Sequence, residues 1–133
     1  MDRPMYTLHG QIVHGEGNGH TVGMPTANLS LSPEDVLPPF GVYAAKAELD
    51  GRWYLGVTNV GFRPTLGALE TPTVETLLLD FSGDVYGKPM TLKLYEYLRP
   101  TTRMHSLEEV ERQVEKDALR TRQIAREMDE ASE

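Results

Sequence analysis

The dipeptide Asp50-Gly51 stands between two runs of alternating character, Gly41–Leu49 and Arg52–Val60. Both turn residues tolerate positive φ, and Asp-Gly in that setting is a strong hairpin signal. The two runs are therefore expected to pair as antiparallel strands, and the rest of the chain extends the pattern. From Tyr6 to Leu98 short apolar runs alternate with turn signals, and no stretch sustains a helical period. Further strands are expected at Tyr6–Val13, Val74–Phe81 and Met90–Leu98, with a short extended piece at Ala27–Leu31. Many short strands in a chain of 133 residues suggest a closed barrel, because closure removes exposed sheet edges.

After Leu98 the character changes. Ser106-Leu107-Glu108-Glu109 reads as a capping box, in which the serine oxygen takes an orphan amide and a glutamate reaches back. A helix is expected from there, packing on the barrel through a narrow stripe of Leu107, Val110, Val114 and Thr121. One domain over residues 1–133 follows, with the barrel at about 5–99 and the helix at about 106–128.

Charge and composition narrow the function classes. A net charge of −7 argues against nucleic acid as a partner, which would call for a basic stripe. Any anionic ligand would need locally arranged amides or a metal ion. The chain has no cysteine, so disulfides and thiolate chemistry are excluded. No apolar run approaches the roughly 20 residues of a membrane-spanning helix and no secretory pattern opens the chain, so no membrane partner is expected and the cytoplasm is the expected compartment.

Three stretches carry candidate chemistry. The segment His14-Gly15-Glu16-Gly17-Asn18-Gly19-His20-Thr21-Val22-Gly23 is rich in glycine, which serves either tight turns at a barrel rim or close approach of backbone amides to a ligand. It is followed by Pro25-Thr26-Ala27-Asn28, where the Thr26 hydroxyl and Asn28 amide oxygen stand two residues apart. Such hard oxygens suit magnesium, and the same residue types also cap turns. On Val74–Phe81, period two sets Glu75 on a face with Leu77, Leu79 and Phe81. A carboxylate at the mouth of an apolar interior loses hydration and gains proton affinity, which suits a general base; a strand-end glutamate reaching to water is the alternative. Tyr86, in the turn Asp84-Val85-Tyr86-Gly87, either covers a core edge or stacks on a planar ligand.

Taken in order, Gly10-Gln11-Ile12-Val13-His14-Gly15, Gly23-Met24-Pro25-Thr26-Ala27-Asn28, Asn59-Val60-Gly61-Phe62-Arg63-Pro64-Thr65, Val74-Glu75-Thr76 and Leu98-Arg99-Pro100 resemble the riboflavin kinase (flavokinase) family, including the C-terminal module of bacterial bifunctional FAD synthetases. Gly41-Val42-Tyr43-Ala44, Tyr86-Gly87, Ser106-Leu107-Glu108 and Gln113 with Asp117 extend the series along nearly the whole chain. The resemblance implies a mainly β fold, a six-stranded antiparallel Greek-key barrel with a C-terminal α-helix. It implies ATP-dependent phosphorylation of the riboflavin ribityl 5′-hydroxyl, giving FMN and ADP, with Mg2+ as cofactor. In those terms Glu75 looks like the catalytic base, and Thr26 and Asn28 look like the residues that hold magnesium and nucleotide phosphate. Gly15, Gly17, Gly19, His20, Gly23 and Pro25 belong to a nucleotide flap, with Asn59 and Tyr86 on the nucleotide side as well. Arg99, Thr101, Met104 and Leu107 would line the flavin side.

The chain departs from the family pattern at four places. Thr101 stands where a glutamate usually follows Leu-Arg-Pro, Met104 where phenylalanine is common, Leu77 where a histidine is common, and His20 where bacterial members often carry arginine. Thr26, Asn28 and Glu75 are kept. A flavin- or nucleotide-binding barrel with altered catalysis is the alternative these departures raise. The bifunctional relatives carry an N-terminal adenylyltransferase domain, so the chain is expected to be either a free-standing kinase or the kinase module of a longer FAD synthetase.

Overall fold

The computed structural model describes residues 4–13, 26–31, 37–63, 71–81, 83–101 and 106–131. Six strands, β1 (Tyr6–Val13), β2 (Thr26–Leu29), β3 (Gly41–Leu49), β4 (Arg52–Arg63), β5 (Thr71–Leu78) and β6 (Pro89–Arg99), precede one helix, α1 (Leu107–Ala131). The strands close into a barrel in the order β1-β2-β5-β4-β3-β6, every pair antiparallel. Two connections, β2 to β3 and β5 to β6, join strands that are not neighbours, which makes the barrel a Greek key.

The expected hairpin is present: Leu49 pairs with Arg52, and Asp50 and Gly51 both take positive φ, 51° and 78°. Several strand ends differ from the expectation. β4 continues past Val60 and β5 begins before Val74, because Gly61, Phe62 and Arg63 pair with Thr73, Pro72 and Thr71. Proline is tolerated near the start of a strand, where a missing donor costs least. At the other end β5 stops at Leu78, and Asp80, at φ 56°, turns the chain. Phe81 is thereby carried to the barrel-interior cluster, edge-on to Tyr54 at 4.9 Å, and does not share the face of Glu75.

Two apolar clusters hold the fold together. Leu8, Ile12, Tyr43, Val60, Val74, Leu78, Leu92 and Leu94 fill the barrel, each buried side chain of this size contributing about 1.5–3 kcal/mol. Val42, Val57, Leu77, Leu79 and Ala118 form the second cluster, between the outer wall and α1, with Val114 packed against it. The central strand β3 is buried almost throughout: one face meets the barrel core, and on the other Val42 joins the second cluster while Ala44 lies beside Thr121 and Ile124 of α1. Gly56 permits the close approach of β4 to β5: a Cβ there would lie 2.7 Å from Thr76 Cγ2.

Helix α1 begins as its sequence requires, with the Glu109 backbone N–H donating to Ser106 Oγ at 3.2 Å. It lies against β4 and β3 through Val114, Asp117, Ala118, Thr121 and Ile124. The buried stripe therefore reaches further along the helix than the sequence stripe did, and it contains a charged residue, Asp117.

Tyr43 gives the fold a pH dependence. Its hydroxyl donates to Pro39 O at 2.6 Å, and burial, followed by the neighbouring Tyr6 and Tyr97 phenols, pushes its pKa above the ordinary tyrosine value. The folded state thus holds this proton more tightly than the unfolded chain does. The contribution is whole below about pH 10 and is lost as pH rises through the folded value. Urea midpoints should fall above pH 10 more steeply for the native chain than for Tyr43→Phe, and parallel curves would show that Tyr43 is not the group responsible.

Candidate active site

Directly opposed residues of antiparallel strands share a face, with Cβ atoms about 4.5–5.5 Å apart. The register brings Glu75 of β5 opposite Asn28 of β2 on one side and Asn59 of β4 on the other. Asn59 in turn faces Val42 of β3, and Val42 faces Arg99 of β6. One row, Asn28–Glu75–Asn59–Val42–Arg99, thus crosses five strands on the outer wall of the barrel. A second row beside it runs Thr26–Leu77–Val57.

The register is locked from inside. Thr58 and Thr76, one residue from Asn59 and Glu75 and pointing the other way, are fully buried and share a hydrogen bond of 2.8 Å. A slip of either strand by one residue would turn its threonine hydroxyl out and its site residue in, which the buried face does not allow.

The rows, the segment after β6 and helix α1 enclose a cleft of about 200 Å³. Val42, Val57, Leu77 and Val114 supply its apolar surface, and Thr26, Glu75, Asn59, Thr101, Arg99 and Asp117 its polar groups. Arg99 grips Asp117 with two nitrogens: Nη2 donates to Oδ2 at 2.8 Å and Nε to Oδ1 at 3.1 Å. Gln113 Nε2 donates to the same Oδ1 at 3.0 Å, so a carboxylate that is 7% exposed is held on two sides. Across the cleft, Thr101 Oγ1 donates to Asn59 Oδ1 at 2.8 Å.

The sequence candidates fall into three groups. Thr26, Asn59, Glu75, Arg99 and Thr101 line one cleft, and Asn28 adjoins Glu75 in the first row. Tyr86 is apart from this cleft, in a turn whose Gly87 N–H donates to Ile12 O at 2.8 Å. Gly15, Gly17, Gly19, His20, Gly23, Pro25 and Met104 lie outside the described residues, as does the side chain of Leu107. Glu75 does share a face with Leu77 and Leu79, but that face is the helix-covered outer wall and not the barrel interior. The Arg99 guanidinium, expected on the flavin side, is committed to α1 through Asp117.

What sequence reasoning missed is the cleft surface made by Val42, Val57 and Val114. Val42 and Val57 are buried strand residues, and only their outward register marks them. The signal for Asp117 was its spacing of four from Gln113 on a helix, the geometry that lets the two side chains meet.

Among known proteins, the family model described as "Flavokinase: Riboflavin kinase" matches residues 3–125. A bifunctional riboflavin kinase/FMN adenylyltransferase of Bacillus subtilis (strain 168) is 40% identical over 114 residues, which are 84% of this chain and 36% of that protein. The Listeria monocytogenes protein of the same name is 34% identical over 117 residues, 88% of this chain and 37% of its own length. The chain therefore spans a little over a third of these relatives. A Streptococcus pneumoniae crystal structure, described as a macrolide-efflux protein, superposes with a TM-score of 0.79 at 31% identity, over 90% of this chain and 38% of that one. Among the described residues no helix is long and apolar enough to cross a membrane. Riboflavin kinase from Trypanosoma brucei superposes with a TM-score of 0.63 at 23% identity, over 90% and 79% of the two chains, and shares the fold.

Proposed function

The chain belongs to the riboflavin kinase family, and from that premise we propose that it transfers the terminal phosphoryl group of ATP to the ribityl 5′-hydroxyl of riboflavin, with Glu75 as general base and Thr26 and Asn28 as the magnesium and phosphate side. The observation that carries this reading is the row Asn28–Glu75–Asn59 at the edge of a cleft with an apolar surface. In this reading the planar ring system of the flavin would lie against Val42, Val57, Leu77 and Val114, with its polar tail directed to Glu75. Among the described residues Glu75 and Asp117 are the carboxylates that line the cleft, and the tie of Asp117 to Arg99 and Gln113 supports Glu75 as the base.

As the hydroxyl oxygen bonds to phosphorus, its proton passes to the Glu75 carboxylate, and the bond from phosphorus to the β-phosphate oxygen breaks to release ADP. The hydroxyl of Thr26 and amide oxygen of Asn28 are hard, neutral donors on one side of β2, at the strand paired with Glu75. Such a pair fits magnesium, which takes few protein ligands and completes its shell with phosphate oxygens and water. When bound, magnesium would supply charge neutralisation on the transferring phosphoryl group, the main electrostatic demand of the reaction.

Asn28→Ala tests the metal side. Removing a donor should raise the Mg2+ concentration for half-maximal FMN formation by about tenfold or more. An unchanged magnesium dependence would take Asn28 out of that role.

A further inference from the structure

Asn59 stands immediately beside Glu75 on β4, and its amide has two chemically different ends. Its Oδ1 accepts the Thr101 hydroxyl at 2.8 Å, a hydrogen bond that ties the segment after β6 to this row. Both residues line the cleft. With the oxygen end occupied, the amide end that remains for the cleft is Nδ2, a donor. A carboxylate and a substrate hydroxyl or phosphate oxygen are both acceptors, so this is the orientation the chemistry needs. The reverse orientation would set Oδ1 against the Glu75 carboxylate and repel it.

We propose that Thr101 is a positioning residue: by donating to Asn59 Oδ1 it fixes the amide so that Nδ2 faces the cleft beside Glu75 and holds base and substrate hydroxyl in line. The inference rests on the kinase reading for its rate consequences, but its geometry does not. Thr101 touches no reacting atom and acts through Asn59. The opposite flank of Glu75 carries Asn28, so the base is bracketed by two amides, and the Asn59 amide is set from outside its own sheet row. Small misalignments of reacting groups cost far more rate than binding, so the effect belongs in kcat.

The experiment compares native chain, Thr101→Val, Thr101→Ser, Asn59→Ala and the Thr101→Val/Asn59→Ala double variant in one FMN-formation assay. The valine variant should lose about tenfold in kcat with KM for riboflavin within about twofold. Serine should restore most of that loss, and the valine change should cost nothing further once Asn59 is alanine. An unchanged kcat in Thr101→Val, equal losses for valine and serine, or additive losses in the double variant would overturn the proposal. A change in KM alone would make Thr101 a substrate contact and overturn it as well. A native chain that forms no FMN refutes the kinase reading instead. The geometry is then read by NMR: the Asn59 side-chain NH2 pair should move in Thr101→Val and stay in place in Thr101→Ser. A pair indifferent to valine would refute the hydrogen bond itself.

Discussion

Glu75→Gln should lower kcat for FMN formation by about 10²- to 10⁴-fold and leave riboflavin affinity within about threefold. Glutamine keeps the size and the polar oxygen of glutamate but cannot take a proton from the ribityl hydroxyl. The residue stands in the row Asn28–Glu75–Asn59, pinned by the buried Thr58–Thr76 hydrogen bond behind it, so the substitution leaves the strand register intact. A fall in kcat and kcat/KM together is the signature of an interaction made in the transition state. If turnover in the glutamine variant equals that of the native chain, Glu75 is not the base. If riboflavin affinity falls as steeply as kcat, Glu75 is a binding residue and the proton goes elsewhere.

Arg99→Met should cost about 3 kcal/mol of unfolding free energy, read as a drop in the urea midpoint. The Arg99 side chain is 23% exposed and that of Asp117 7%, so the pair is largely shielded from water. Removing the guanidinium leaves a buried carboxylate whose charge is uncompensated, with the neutral Gln113 amide still donating to it. The double variant Arg99→Met/Asp117→Leu should recover most of the loss, since an apolar pair needs no counter-charge. A loss below about 0.5 kcal/mol in the single variant would mean that the bridge behaves as an exposed one and does not fasten β6 to α1. The strut matters for function because it holds the helix that closes the cleft: Val114 and Asp117 both line it.

The hairpin at Asp50-Gly51, the mainly β class and the capped helix were legible in the sequence because each rests on a local pattern, and the barrel followed from the number of short strands and from the resemblance. Strand ends were less so. The β4–β5 ladder runs on through Gly61, Phe62 and Arg63, residues beyond the expected strand end at Val60, which pair with Thr73, Pro72 and Thr71. Phe81 was assigned by period two, and the left-handed turn at Asp80 reverses that assignment. A single positive φ at a non-glycine residue leaves no mark in a hydrophobic pattern.

The candidate site was legible in its residue types and in its resemblance to a family, while the geometry of the cleft was not. Thr26, Asn28 and Glu75 were marked by chemistry and order along the chain. That Asn28 and Asn59 flank Glu75 depends on two registers between strands distant in sequence. The apolar surface from Val42 and Val57 depends on the same kind of long-range pairing. Arg99 was placed on the flavin side by the resemblance, and it does line the cleft. Its bidentate hold on Asp117 rests on a helix crossing that no spacing encodes.

Phosphorylation of riboflavin in this cleft is tested most directly by chromatography of a mixture of the purified chain, riboflavin, ATP and Mg2+, beside a metal-free control. FMN and ADP in equal amounts, formed only with the metal present, are the expected result. Riboflavin bound but unchanged, with ATP intact, would contradict it and leave a barrel that binds flavin without acting on it.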